Sequence, residues 1–199
     1  MTIETVNRAL FQALNAPGDL SGLPLALAIA AAKYAIVALA ALLAYRWIRG
    51  SASERSALVH ILLLVLPALA LNYAVGLAFP HPRPFMIGLG HTFIPHQPES
   101  SFPSDHATLM WTVALGMLLW LPSKAAGWFA VVLAALTGWA RVFVGLHFPF
   151  DIVGSIAVAG VAVGMFAALR RSIERTIAPP IERLWAAARW RILQICNRS

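Results

Sequence analysis

The chain has 199 residues, 60% of them hydrophobic and 12% charged, and its mean hydropathy is +0.75. A soluble domain of this length cannot hide so much apolar surface, so the composition excludes an ordinary soluble protein and points to the membrane. The formal charge of +7 is therefore read against membrane topology before nucleic acid, which is not expected as a partner, and the single cysteine, Cys196, excludes an intrachain disulfide framework.

In chain order, residues 1–20 come first. Ile3, Val6, Leu10 and Leu14 recur at helical spacing, and the stretch from Asn15 to Asp19 ends the run, which predicts a short amphipathic helix in the membrane interface. Glu4 breaks the apolar start, so no cleavable signal peptide is expected and insertion falls to the first spanning helix. Five stretches then reach or approach the ~20 apolar residues of a spanning helix. They are 24–47, with Lys33 inside it, 57–79, 105–121, 125–142 and 151–170. The last contains the small-residue run from Gly154 to Gly164, suited to close helix packing. Residues 171–199 mix arginines with Ile173, Ile177, Ile181, Leu184 and Trp185, with Pro179 and Pro180 interrupting them, and read as a basic tail on an anionic leaflet. The expected fold is all-α: one polytopic membrane helix bundle of about five spans over 24–170, preceded by the interfacial helix and followed by the tail.

Topology follows from the cations. With the N-terminus outside, Arg46, Arg49, Arg55, Lys124, Arg170, Arg171, Arg175, Arg183, Arg189, Arg191 and Arg198 all fall on the inner side, which satisfies the positive-inside rule. Arg8 belongs to the interfacial helix. Lys33, Arg83 and Arg141 need another reason.

The outer segments supply one. Five of the six histidines, His81, His91, His96, His106 and His147, lie there. Ser104 after Pro103 has the character of an N-cap, so a helix should open at Asp105 and aim its free N–H groups outward as an anion site. His106 in the first turn is placed to move a proton. Arg141 precedes His147 by six residues and Asp151 follows it by four, a spacing in which the carboxylate could hold Nδ1–H and leave Nε2 to attack. Pro82 and Pro84 stiffen the backbone around Arg83, which suits bidentate contact with phosphate. Each segment has a plainer alternative: a capped helix, a structural His–Asp bond, a snorkelling arginine. Two arginines, two histidines, a carboxylate and a helix start on one membrane face describe phosphoryl transfer. His81, His91 and His96 fit no compact ligand pattern, so no metal or cofactor is expected.

"RP", "PSDH" and "RVFVGLHFPFD" resemble the three signature segments of the type-2 phosphatidic acid phosphatase superfamily, K-x6-RP, PSGH and SR-x5-H-x3-D. The wording from Ala68 to Phe85 and from Glu99 to Thr108 is similar to the bacitracin-resistance type of undecaprenyl-diphosphatase. The resemblance implies metal-independent hydrolysis of a polyprenyl diphosphate held among membrane lipids at the outer leaflet. It gives His147 as nucleophile, Asp151 as its orienting group and His106 as proton donor. Arg83, Pro84, Arg141, Ser104 and the backbone at Asp105 would hold the phosphoryl oxygens. Three positions depart from the pattern: Gly76 stands where the family has lysine, Ala140 where it has serine and Asp105 where it has glycine. The missing lysine raises Lys33 or Asn72 as a replacement. Other lipid phosphatases, an anion transporter and a non-catalytic lipid-phosphate binder are the alternatives.

Overall fold

The expected helices form, and most of their boundaries have local causes. The computed structural model describes residues 2–196, so Arg198 lies outside the described residues. Helix α1 (Ile3–Leu14) is capped by Thr2, whose hydroxyl accepts the Thr5 N–H at 3.2 Å. After α2 (Gly22–Arg49), a capping box opens α3 (Ala52–Ala78): Ser51 Oγ accepts the Glu54 N–H, and the Glu54 carboxylate accepts the Ser51 N–H. Then follow α4 (Asp105–Trp120), α5 (Lys124–Phe143), α6 (Pro149–Ala167), α7 (Arg170–Thr176) and α8 (Ala178–Cys196). No strand occurs among the described residues.

Of the boundaries that differ from expectation, two lie at prolines. Helix α6 begins at Pro149, two residues before the expected start at 151, and Asp151 closes its first turn. Pro179 and Pro180 do not interrupt the tail; they lie in the first turn of α8, and the break falls at Ile177. In both cases proline occupies a turn whose N–H groups have no intrahelical acceptor, so its missing donor costs nothing there.

Four helices, α2, α3, α5 and α6, are long and apolar enough to cross a membrane, which makes this a multi-pass membrane protein. The expected third span is a shorter helix: α4 has 16 residues and packs against α3, α5 and α6. Surrounded by other helices, it need not match the bilayer. Leu39, Leu58, Ile61, Met110, Met117 and Ala134 form the main core around it. Gly127 lets α5 close on α4, since a Cβ there would lie 2.9 Å from the Leu118 backbone nitrogen. In α6 the packing falls to Gly154, Ser155, Ala159 and Ala162, whereas Gly160 and Gly164 meet nothing within 4 Å. The small-residue run therefore serves the bundle only along part of its length.

Helix α1 shows an inverted amphipathicity. Its apolar residues Ile3, Leu10 and Leu14 are exposed, while Asn7 and Phe11 are buried against the protein. Phe11 packs at a tilt on Phe148 with ring centroids 5.2 Å apart, and Asn7 Oδ1 accepts the Phe150 N–H at 3.1 Å. Asn15 donates to the carbonyls of Phe143 and His91. This helix is thus bolted across the segment between α5 and α6. Phe11→Ala should cost about 3 kcal/mol, as for other fully buried phenylalanines, read as a lowered Tm in detergent.

Candidate active site

Three segments meet at one end of the bundle: residues 81–87 after α3, residues 99–106 leading into α4, and residues 141–151 between α5 and α6. The last is turned by Gly145, whose φ of +83° suits glycine and where a Cβ would collide with the His91 carbonyl oxygen. That turn brings His147 back toward Arg141, six residues before it.

His147 is buried, 1% exposed, and the partners of its two ring nitrogens differ in kind. Nε2 lies 3.1 Å from Arg83 Nη1 and 3.3 Å from Arg141 Nη2. Guanidinium groups only donate, so Nε2 must present its lone pair. Nδ1 lies 2.9 Å from the Ser101 carbonyl oxygen and 3.4 Å from Asp151 Oδ2, both acceptors, so it must carry the proton. The neutral Nδ1–H tautomer follows from the chemistry of the neighbours. Burial is the main force holding the His147 pKa down, to about 4; the Asp151 contact opposes it, and the Arg141 and Arg83 charges reinforce it.

Asp151 is 1% exposed, and its Oδ2 also accepts the Phe148 N–H at 2.8 Å, which fixes the carboxylate in the first turn of α6. Arg83 donates to the Leu146 carbonyl at 3.1 Å and to Glu99 Oε1 at 3.1 Å. Arg141 reaches the Ala32 carbonyl of α2 at 3.5 Å. The Nε atoms of both arginines are buried without a hydrogen-bond partner among the described residues.

Ser104 stands at the N-cap position of α4 as expected, but its hydroxyl makes no cap bond. That hydroxyl is buried and unpartnered among the described residues, while the Ser104 N–H donates to Ser155 Oγ at 2.9 Å. Asp105 and His106 follow in the first turn and are exposed, His106 in the field of Arg141, His96 and Arg83. Pro84 is buried at the start of the 3-10 turn Pro84–Ile87, directly after Arg83. A cavity of about 240 Å3 adjoins this cluster; Arg83, Glu99 and Asp105 line it together with Asn72, Tyr73 and Gly76 of α3.

Among the two residues raised as replacements for the missing lysine, Lys33 is exposed on α2 and does not line this cavity. Asn72 does, but as a tether. Its Nδ2 donates to Asp105 Oδ1 at 2.7 Å and to the Pro103 carbonyl at 3.2 Å, and its Oδ1 accepts from Thr108 at 2.6 Å. His81, His91 and His96 turn to separate partners, and no group of three metal-ligating side chains occurs among the described residues. Sequence reasoning missed the Ser101 carbonyl and Ser155. The second was legible, since it lies four residues after Asp151 on the same helix face.

The PAP2 superfamily pattern matches residues 56–174. The chain belongs to that superfamily. It is 34% identical over 171 residues to YbjG of Escherichia coli (strain K12), provisionally named an undecaprenyl-diphosphatase, covering 86% of this chain and 83% of that protein. Undecaprenyl-diphosphatase BcrC of Bacillus subtilis (strain 168) is 38% identical over 127 residues, 64% of this chain and 65% of that protein. In fold, the chain is similar to a crystal structure of a transmembrane PAP2 type phosphatidylglycerolphosphate phosphatase from Bacillus subtilis, with a TM-score of 0.62 and 18% identity, over 87% of this chain and 89% of the other.

The depressed pKa of His147 has a stability consequence. Its folded value, about 4, lies below the ordinary 6.5. Between the two, the unfolded chain binds a proton that the folded one refuses, so this contribution to stability is present above pH 6.5 and is lost as pH falls toward 4. Acidification from pH 7 to 4.5 should therefore lower the Tm of the wild type more than that of His147→Gln, in thermal melts of both proteins in the same detergent.

Proposed function

We propose that this PAP2 protein hydrolyses a polyprenyl diphosphate, most specifically undecaprenyl diphosphate, to the monophosphate and inorganic phosphate through a phosphohistidine on His147. The observation that carries the reading is the position of His147 Nε2, a lone pair held between two guanidinium groups. A phosphoryl group bound by Arg83 and Arg141 would lie against the one atom able to attack it. The names of YbjG and BcrC support the choice of substrate.

In this mechanism Nε2 attacks the terminal phosphorus and the bridging P–O bond breaks. Burial and the nearby cations hold the His106 pKa at about 4 in the free site; the bound diphosphate, an anion, draws the ring into its cationic form, which donates the proton that the leaving monophosphate takes up. Asp151 and the Ser101 carbonyl hold Nδ1–H and stabilise the positive charge that develops on the ring. Arg83, Arg141 and the unpartnered Ser104 hydroxyl bind the phosphoryl oxygens, with the backbone at Asp105 at the start of α4. Pro84 fixes the backbone beside Arg83. Glu99, the exposed carboxylate on Arg83, is the group an incoming phosphate displaces. Water, with neutral His106 now as base, then attacks phosphorus, cleaves the P–N bond and releases phosphate. The reaction needs no cofactor. The distribution of arginines supports an orientation with this end facing outward, and the bacterial relatives support an inner-membrane setting in which the lipid tail stays in the bilayer.

Purified protein should release phosphate from undecaprenyl diphosphate in the presence of a chelator, and faster than from phosphatidic acid or phosphatidylglycerophosphate tested beside it. Strict dependence on a divalent ion would sink the mechanism. His147→Ala should lower kcat at least about a thousandfold; more than a few per cent residual turnover removes it as nucleophile. Gly76→Lys should not raise kcat/KM. A Cβ there meets the Phe102 carbonyl oxygen at 3.0 Å, and Asp105 lines the same cavity to take the new ammonium group.

A further inference from the structure

His81 is not needed for any step above, yet it joins α1 to the nucleophile. Its backbone carbonyl accepts the Ser101 N–H at 2.7 Å, and its own N–H donates to Ser100 Oγ at 3.2 Å. Its ring leans on Phe148 with centroids 5.1 Å apart. Nδ1 lies 3.1 Å from Ser101 Oγ and 3.9 Å from Asp151 Oδ1, the carboxylate oxygen that does not face His147. Nε2 lies 3.3 Å from Glu4 Oε2 of α1.

We propose that His81 is a positioning residue, clamped by Glu4, that governs how fully Asp151 serves His147. Both protonation states of the ring are satisfied where it lies. In the neutral state Nε2–H donates to Glu4 and Nδ1 accepts from the Ser101 hydroxyl. In the cationic state Nδ1–H turns to Ser101 Oγ, whose own proton goes to the Pro82 carbonyl at 3.3 Å. The new charge then faces Asp151 Oδ1. A carboxylate shared between two imidazoles holds each less strongly, so protonation of His81 weakens the support that Asp151 gives to positive charge on His147. The charged groups around His81 come from every element packed on it: Glu4 and Arg8 of α1, Asp151 of α6, His147 behind Asp151, and Arg83 two residues along its own segment. Helix α1 is thereby part of the catalytic apparatus, since its docking through Phe11 and Asn7 delivers Glu4.

This inference rests on His147 being the nucleophile, and its test separates the two. Nitrogen-15 histidine NMR of the whole protein in detergent should show the His147 ring signals moving in two steps with pH, one of them at the pH where His81 itself titrates. In His81→Gln the second step should vanish. In Glu4→Gln its position should change, because the carboxylate in contact with the ring is gone, and the double variant should match His81→Gln alone. With undecaprenyl diphosphate, His81→Gln should retain KM while the acid side of its kcat profile rises by about threefold, the size of a partly screened charge contact. Substrate ionisation is common to both proteins and cancels in the comparison. A His147 titration and kcat profile unchanged in both single variants, with Tm unchanged, would overturn the proposal. Were the wild type to release no phosphate while the coupled titration persisted, the contact would stand and only the phosphatase reading would fall.

Discussion

The site depends on one constraint, the placing of obligate donors and obligate acceptors on opposite edges of a single buried imidazole. Arg83 and Arg141 stand at Nε2; the Ser101 carbonyl and Asp151 stand at Nδ1. No other tautomer can satisfy these four neighbours. The ring is therefore fixed with its Nε2 lone pair between the two guanidinium groups, and burial keeps it neutral. Most of the surrounding structure can be understood as what is required to bring these four partners, from two loop segments and two helices, to one ring.

That assembly explains why the bundle is built unevenly. The central helix α4 is short and enclosed, and its start must remain where Asp105 meets the cavity. Asn72 ties it to α3 and Ser155 ties it to α6. Buried polar tethers of this kind are strong only when every partner is present, and the carbonyl of Pro103 and the hydroxyl of Thr108 complete the set. Helix α1 is a clamp of the same sort: it supplies an aromatic ring and an amide to the loop holding His147, while Ile3, Leu10 and Leu14 remain exposed.

The segment from Arg141 to Asp151 was legible in the sequence because it is local. A helix end, a glycine turn and a helix start fix the three side chains relative to one another within eleven residues. Hydropathy located the spanning helices for the same reason, since each meets its environment alone. What was not legible depended on distant backbone. The Ser101 carbonyl carries no residue signature, and only the folded loop aims it at His147. Asn7 was hidden because a polar residue on an amphipathic helix is ordinarily assigned to water, and here Ile3, Leu10 and Leu14 are exposed instead. Pro179 and Pro180 misled because proline marks both the break between helices and the first turn of a new one.

Gly76 and Asp105 line the same cavity. Relative to the family pattern, one position has lost a cation and the other has gained an anion, so this wall is two charges less positive. Asn72 takes up the Asp105 carboxylate. The positive charge left at this end of the site is that of Arg83 and Arg141, which lie against His147 Nε2. A pocket of that kind holds its inorganic product less tightly than one ringed by cations, and trades residence of the anion for ease of its departure.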